Sequence, residues 1–252
     1  QLRSFFGGPG VTSIFDLPWM PFYLAIALAC GPGVEDNNAN GGPMENNSTD
    51  NSTDNSMPNN MEESCPVMVE SGIEEETSWG GGECTEYTVS RAIEVTAPLT
   101  IEPGVTVTFT EGAGLRLSVD SAGSLSAVGT EQERILFTGA TEEKGHWEAI
   151  VVDTDASANE IAFVDFQYGG QGGSFGFTGS TETMLMVGGS GEVSVTNSTF
   201  SDSKTHGVYL RDGAVLRDFS DNSFSNNGGA PLRLLSNQIG QLDGSNTFSG
   251  GN

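Results

Sequence analysis

The chain has 252 residues, with 34 acidic against 9 basic side chains, a formal charge of −25 and 35 glycines. A field of that sign repels phosphate backbones, which excludes nucleic acid as a partner, and it offers no basic patch to anionic lipid headgroups. An apolar fraction of 36% with abundant Gly fits either a partly disordered chain or an all-β protein rich in tight turns.

The first element is the apolar stretch LPWMPFYLAIALAC at 17–30, too short to span a bilayer as a helix. Residues 1–30 read as a signal segment. Its end, Ala27-Leu28-Ala29-Cys30-Gly31, resembles the lipobox of bacterial lipoproteins, in which the Cys is acylated and becomes the new N-terminus. Ala27 stands where Leu is usual, and Arg3 is the nearest basic residue ahead of the run. The resemblance implies lipidation at Cys30, a membrane reached through that anchor, and an outer-membrane, cell-surface or extracellular address in a bacterium. The other reading is a buried segment that ends in an ordinary Cys.

Residues 31–64 contain a tandem NSTD-NSTD repeat, no Lys or Arg, and very few apolar side chains. Such a tract cannot bury enough surface to offset its chain entropy, so the expectation is a disordered Asn/Ser/Asp-rich tether. Residues 65–92 open the folded region as a capping segment. Cys65 and Cys84 lie there, and a pair with one spare, Cys30, suggests a disulfide and a separately modified thiol in an oxidising compartment. Their spacing is not that of a zinc knuckle, and His146 and His206 are remote in sequence, so no metal is expected.

Residues 93–252 change texture. Apolar residues alternate in Leu99-x-Ile101, Val105-x-Val107-x-Phe109, Leu115-x-Leu117-x-Val119 and Val193-x-Val195, each run bounded by Gly, Asn, Asp or Pro. That period predicts short strands throughout. Near the C-terminus Asn197-Ser-Thr-Phe200-Ser201 recurs as Asn222-Ser-Phe224-Ser225 and as Asn246-Thr-Phe248-Ser249, with the phenylalanines 24 residues apart. Strands follow the first two copies at Val208 and Leu232. A 24-residue unit with three short strands is one coil of a parallel β-helix, a solenoid with three sheets. Stacking then makes Phe200, Phe224 and Phe248 an internal ladder and sets Asn197, Asn222 and Asn246 close to a bend, where Asn tolerates left-handed backbone geometry.

LTIEPGVTVTF at 99–109, GAGLRLSVDSAGSLSAVGT at 112–130 and RILFTGATEEKGHW at 134–147 resemble the N-terminal coils of right-handed parallel β-helix repeat-containing bacterial lipoproteins. Arg134 replaces the Pro often found before the ILFTG strand. Trp79, with Tyr87 and Val89 on a first strand, resembles the start of the capping segment. Such proteins include polysaccharide lyases, hydrolases and adhesins, so the fold leaves activity open.

A lyase on this scaffold needs calcium held by carboxylates, and a base to abstract a sugar proton. The acidic candidates are Asp153, Asp155, Asp165 and Asp202; the basic ones are Lys204, Arg211, Arg217 and Arg233. Asp202 to Val208 is the one stretch where acid, base and His crowd together, which makes Asp202, His206 and Arg211 the alternative catalytic set, against an ordinary solvated bend. From Phe166 to Phe200 the step lengthens to 34, so about ten residues loop outward around Tyr168, Phe175 and Phe177. That loop is either an aromatic site for a ligand or a mobile Gly-rich insertion. The main reading is a monomeric, lipid-anchored, non-enzymatic binding, adhesion or structural module, without cofactor, whose partner is a glycan or a surface protein. The alternative is a carbohydrate-active enzyme, a polysaccharide lyase or glycoside hydrolase, for which calcium is the cofactor. The chain starts with Gln1 and stops in a bend after Phe248, so further coils are expected beyond Asn252.

Overall fold

A computed structural model describes residues 65–82, 84–173 and 181–249. The chain divides into two compact units, Gln1–Ser56 and Met57–Asn252, and every described residue belongs to the second. The expectations for Cys30, for the tether at 31–64 and for Phe175 and Phe177 fall outside the described residues.

Short alternating strands cannot bury an apolar face alone, so they stack. The chain winds repeatedly through three sheets of eight, six and six strands, called here A, B and C, and every strand pairs in parallel with its counterpart one coil away. Glu86–Val89 lies in sheet A, Ala92–Val95 in sheet B, Pro98–Ile101 in sheet C, and Thr106–Phe109 returns to sheet A. The result is a right-handed parallel β-helix: the repeat predicts the coil, and the family resemblance implies its hand. Coil length varies with position. Tyr87 pairs with Val107, a step of 20, Phe166 with Phe200, a step of 34, and only the last coils keep 24.

Inward-facing residues fill the tube. Phe137, Phe166, Phe200, Phe224 and Phe248 form one ladder, with ring centroids 5.1, 4.6, 5.0 and 5.2 Å apart; the last three contacts are stacked. The ladder runs two rungs beyond the three repeated motifs. Trp147 stacks on Phe109 at 4.6 Å and donates its indole N–H to the Gln167 carbonyl. Gly169 makes room for that indole, since a Cβ there would stand 2.6 Å from Trp147 Cε2.

The asparagines do sit close to the bend, but not all at equivalent positions. Asn222 and Asn246 align with Ser198, and the left-handed corner positions are one residue earlier, at Asn197 (φ 51°) and Asp221 (φ 55°). The first motif carries an extra Thr between Asn and Phe, which slips the apparent match by one. The aligned Asn side chains accept hydrogen bonds from backbone N–H groups one coil away.

Residues 65–92 contain solenoid strands: Val67–Val69 pairs with Glu86–Val89, and Thr77–Trp79 pairs with Pro98–Ile101. The Cys65–Cys84 disulfide forms, and it ties together the approaches to two adjacent strands of sheet A. After the short strand Leu232–Arg233 the chain enters a 3-10 helix, Ser236–Gln241. Gln238 Nε2 donates to the Arg211 carbonyl at 2.8 Å, and Gln241 Oε1 accepts the Leu216 N–H at 2.7 Å, so this helix satisfies backbone groups of the preceding coil.

Candidate binding face

Alternate residues of each strand leave the tube, and parallel register turns them into columns along its axis. On sheet A one column reads Met68, Thr88, Thr108, Thr138, Gln167, Ser201, Ser225 and Ser249, so it is polar from its second rung onward. The second reads Glu86, Thr106, Leu136, Asp165, Thr199, Ser223 and Thr247. Rungs are about 4.8 Å apart along the axis and roughly 6.6 Å apart along a strand. In a chain of charge −25, this eight-stranded face presents two carboxylates in its columns, and one of them is neutralised.

That carboxylate is Asp165. Arg134, just ahead of Ile135–Gly139, donates Nε to both Asp165 oxygens at 3.0 Å and Nη2 to Oδ1 at 2.8 Å, while Thr199 Oγ1 donates to Oδ1 at 2.6 Å. Both charged side chains are about a quarter exposed, so the pair sits in the surface rather than above it. It holds two planar hydrogen-bonding groups in fixed orientation among Thr138, Gln167 and Ser201. In the sequence Asp165 is one acidic candidate among four, and Arg134 stands where a Pro is often found. The partners are 31 residues apart, a distance that matches no repeat step visible in the sequence.

One long side of the face is the corner leading to sheet B. Tyr168, Asp202 and Asn226 turn that corner in successive coils with φ of 64°, 58° and 52°. Asn226 Nδ2 donates to Asp202 Oδ1, and Lys144 Nζ donates to the Asn226 carbonyl, so the 140–146 loop reaches along the corner across three coils. The Tyr168 hydroxyl is held above its ordinary pKa, first by partial burial and then by the negative charges of Glu142 and Asp202. Tyr168 therefore stands at the rim of the hydroxyl face, and its proposed companions Phe175 and Phe177 lie outside the described residues.

The alternative catalytic set is not assembled. Asp202 and His206 share this corner, and His206 Nδ1 lies 3.0 Å from the Ala230 carbonyl. Arg211 follows the far end of His206–Leu210, roughly 16 Å along the strand from His206. Asp153 and Asp155 line a different cleft of about 280 Å³ with Asp120, at the corner between sheets B and C. Among the described residues no three His, Cys, Asp or Glu side chains converge in a way that could hold a metal ion. Arg217 is a clamp: its guanidinium donates to the carbonyls of Ala156, Ser157 and Asn159 and pairs with Glu192 at 3.8 Å.

Three parallel sheets wound as a single solenoid define a right-handed parallel β-helix repeat protein. Residues 183–252 match the family model described as right handed beta helix region. A stretch of 32 residues, 13% of this chain, is 53% identical to the type I secretion system ATP-binding protein PrsD of Rhizobium meliloti (strain 1021). The match spans 6% of that protein's length, so it says nothing about the activity of this one. No solved structure matches the chain.

Proposed function

We propose that this β-helix is a non-enzymatic binding module whose sheet A face holds a neutral, polyhydroxylated ligand, the glycan of a surface. The observation that carries the reading is the pair of hydroxyl columns centred on Arg134 and Asp165. Hydroxyls and planar polar groups exchange hydrogen bonds with sugar hydroxyls at a net gain of only about 0.5–1.5 kcal/mol each, so affinity comes from many rungs together. The charged pair is engaged internally, which suits it to orienting a ligand better than to moving a proton. Display at a bacterial surface through acylated Cys30 belongs to the same reading.

The test is titration of the full chain against neutral glucans, mannans and chitin oligomers, with turnover followed in parallel. Binding without product, weakened by Asp165→Asn and Thr199→Val, is the expected result. Product release from any of these polymers would replace the module with the enzyme. Cys30→Ser should move the protein from the membrane to the soluble fraction when it is expressed with its own leader.

A further inference from the structure

We propose that Arg233, stacked over Tyr209, forms a second site on the outward face of sheet B, one that takes a small carboxylate ligand. It shares no residue with the sheet A face and does not depend on that reading.

Register builds the site. Met186 pairs with Tyr209 and Tyr209 with Arg233, so the three form an outward column over successive coils. Tyr209 packs against the buried cluster of Ala149, Val151 and Met186, which fixes its ring. Arg233 Cζ lies 4.4 Å from the ring centroid. A guanidinium placed over an aromatic ring is held through its face, and its in-plane N–H donors stay available for a planar oxyanion. Among the described residues, these donors have no hydrogen-bond or ion-pair partner. Arg116, Arg134 and Arg217, by contrast, each pair with a carboxylate of this chain.

The surroundings define the ligand. Tyr209, Arg211, Asp212, Arg233 and Leu235 line a cleft of about 250 Å³. That is smaller than the roughly 300–1,000 Å³ of drug-sized sites, and it suits one monosaccharide or one amino acid. Arg211 lines the same cleft, just past the end of the strand that carries Tyr209. Asp212 favours a hydrogen-bond donor beside the ligand's carboxylate, and Leu235, 46% exposed, offers an apolar wall to a CH-rich body. A hexuronate and an amino acid both meet that description.

Calorimetric titration of the full chain with glucuronate against glucose, and with N-acetylleucine against its amide, tests the site and separates the two sources. At least one acid should bind about tenfold more tightly than its neutral partner, an effect of the charge-assisted contact, and should weaken as salt rises. Arg233→Gln should abolish the difference, Arg233→Lys should lose most of it because the stacked fork is gone, and Tyr209→Phe should retain it. Arg233 is exposed, so these variants should fold, with far-UV circular dichroism and melting midpoints that match those of the wild type. Equal binding within both pairs, no binding by either acid, or an Arg233→Gln variant indistinguishable from wild type would each overturn the proposal.

Discussion

The side chain of Asn222 reaches one coil back and accepts the backbone N–H of Ser198 at 3.0 Å, while its own amide donates to the Val195 carbonyl at 2.8 Å. Asn246 repeats both contacts one coil further on, with the Asn222 N–H and the Phe219 carbonyl. At a corner the sheet ladder is interrupted, and an inward Asn replaces the missing partners with a donor and an acceptor in one planar group.

Asn222→Ala should therefore cost about 2–3 kcal/mol, because it leaves a buried N–H and a buried carbonyl unpaired. Asn246→Ala, at a less buried rung, should cost less. Urea denaturation checks both, with the midpoint moving and the slope unchanged.

Joint replacement of Cys65 and Cys84 by Ser should loosen the first coil. The crosslink closes a short loop, so its loss should cost about 3 kcal/mol at most. Hydrogen exchange should quicken in Val67–Val69 and Glu86–Val89 and remain slow in Thr199–Ser201 and Ser223–Ser225. Equal acceleration everywhere would mean that the solenoid unfolds as one unit.

Arg217→Ala should release the 155–159 bend, which the guanidinium holds through three carbonyls from two coils away. We expect a loss of about 1–2 kcal/mol, and Arg217→Lys should restore less than half of it, since an ammonium cannot fork across three acceptors. Thermal melts of the two variants give the comparison.

Tyr168 should ionise later than an ordinary tyrosine. A phenol whose pKa is raised in the folded state contributes stability that is complete below the unfolded value of 10.0 and is lost as pH rises through the folded one. Near-UV absorbance titration should show a late tyrosinate transition that is lost in Tyr168→Phe. The same transition should move to lower pH in Asp202→Asn or Glu142→Gln.

Much of the fold is legible because stacking is periodic. Phe200, Phe224 and Phe248 must be equivalent when neighbours stack ring on ring, and the constant step announces it. The Asn register is hidden for a local reason: a single extra Thr in the first motif makes Asn197 look like the partner of Asn222, whereas hydrogen bonding selects Ser198. The candidate face is far less legible. Arg134 meets Asp165 because the coil between them has its own length, set by a loop that no repeat constrains.

Sequence alone determined what depends on local period and composition: short strands, a solenoid of about 24 residues per turn at its C-terminal end, an inward phenylalanine ladder, and a strongly negative charge. The pairing of Cys65 with Cys84 also followed from their position and the odd third Cys. Tertiary structure decided which outward residues share a face. Coils of 20, 24 and 34 residues bring side chains into column by hydrogen-bond register, which depends on strands one full turn away in the chain. Hence the hydroxyl columns of sheet A, the Arg134–Asp165 centre and the stack of Arg233 on Tyr209 exist only once the chain has wound.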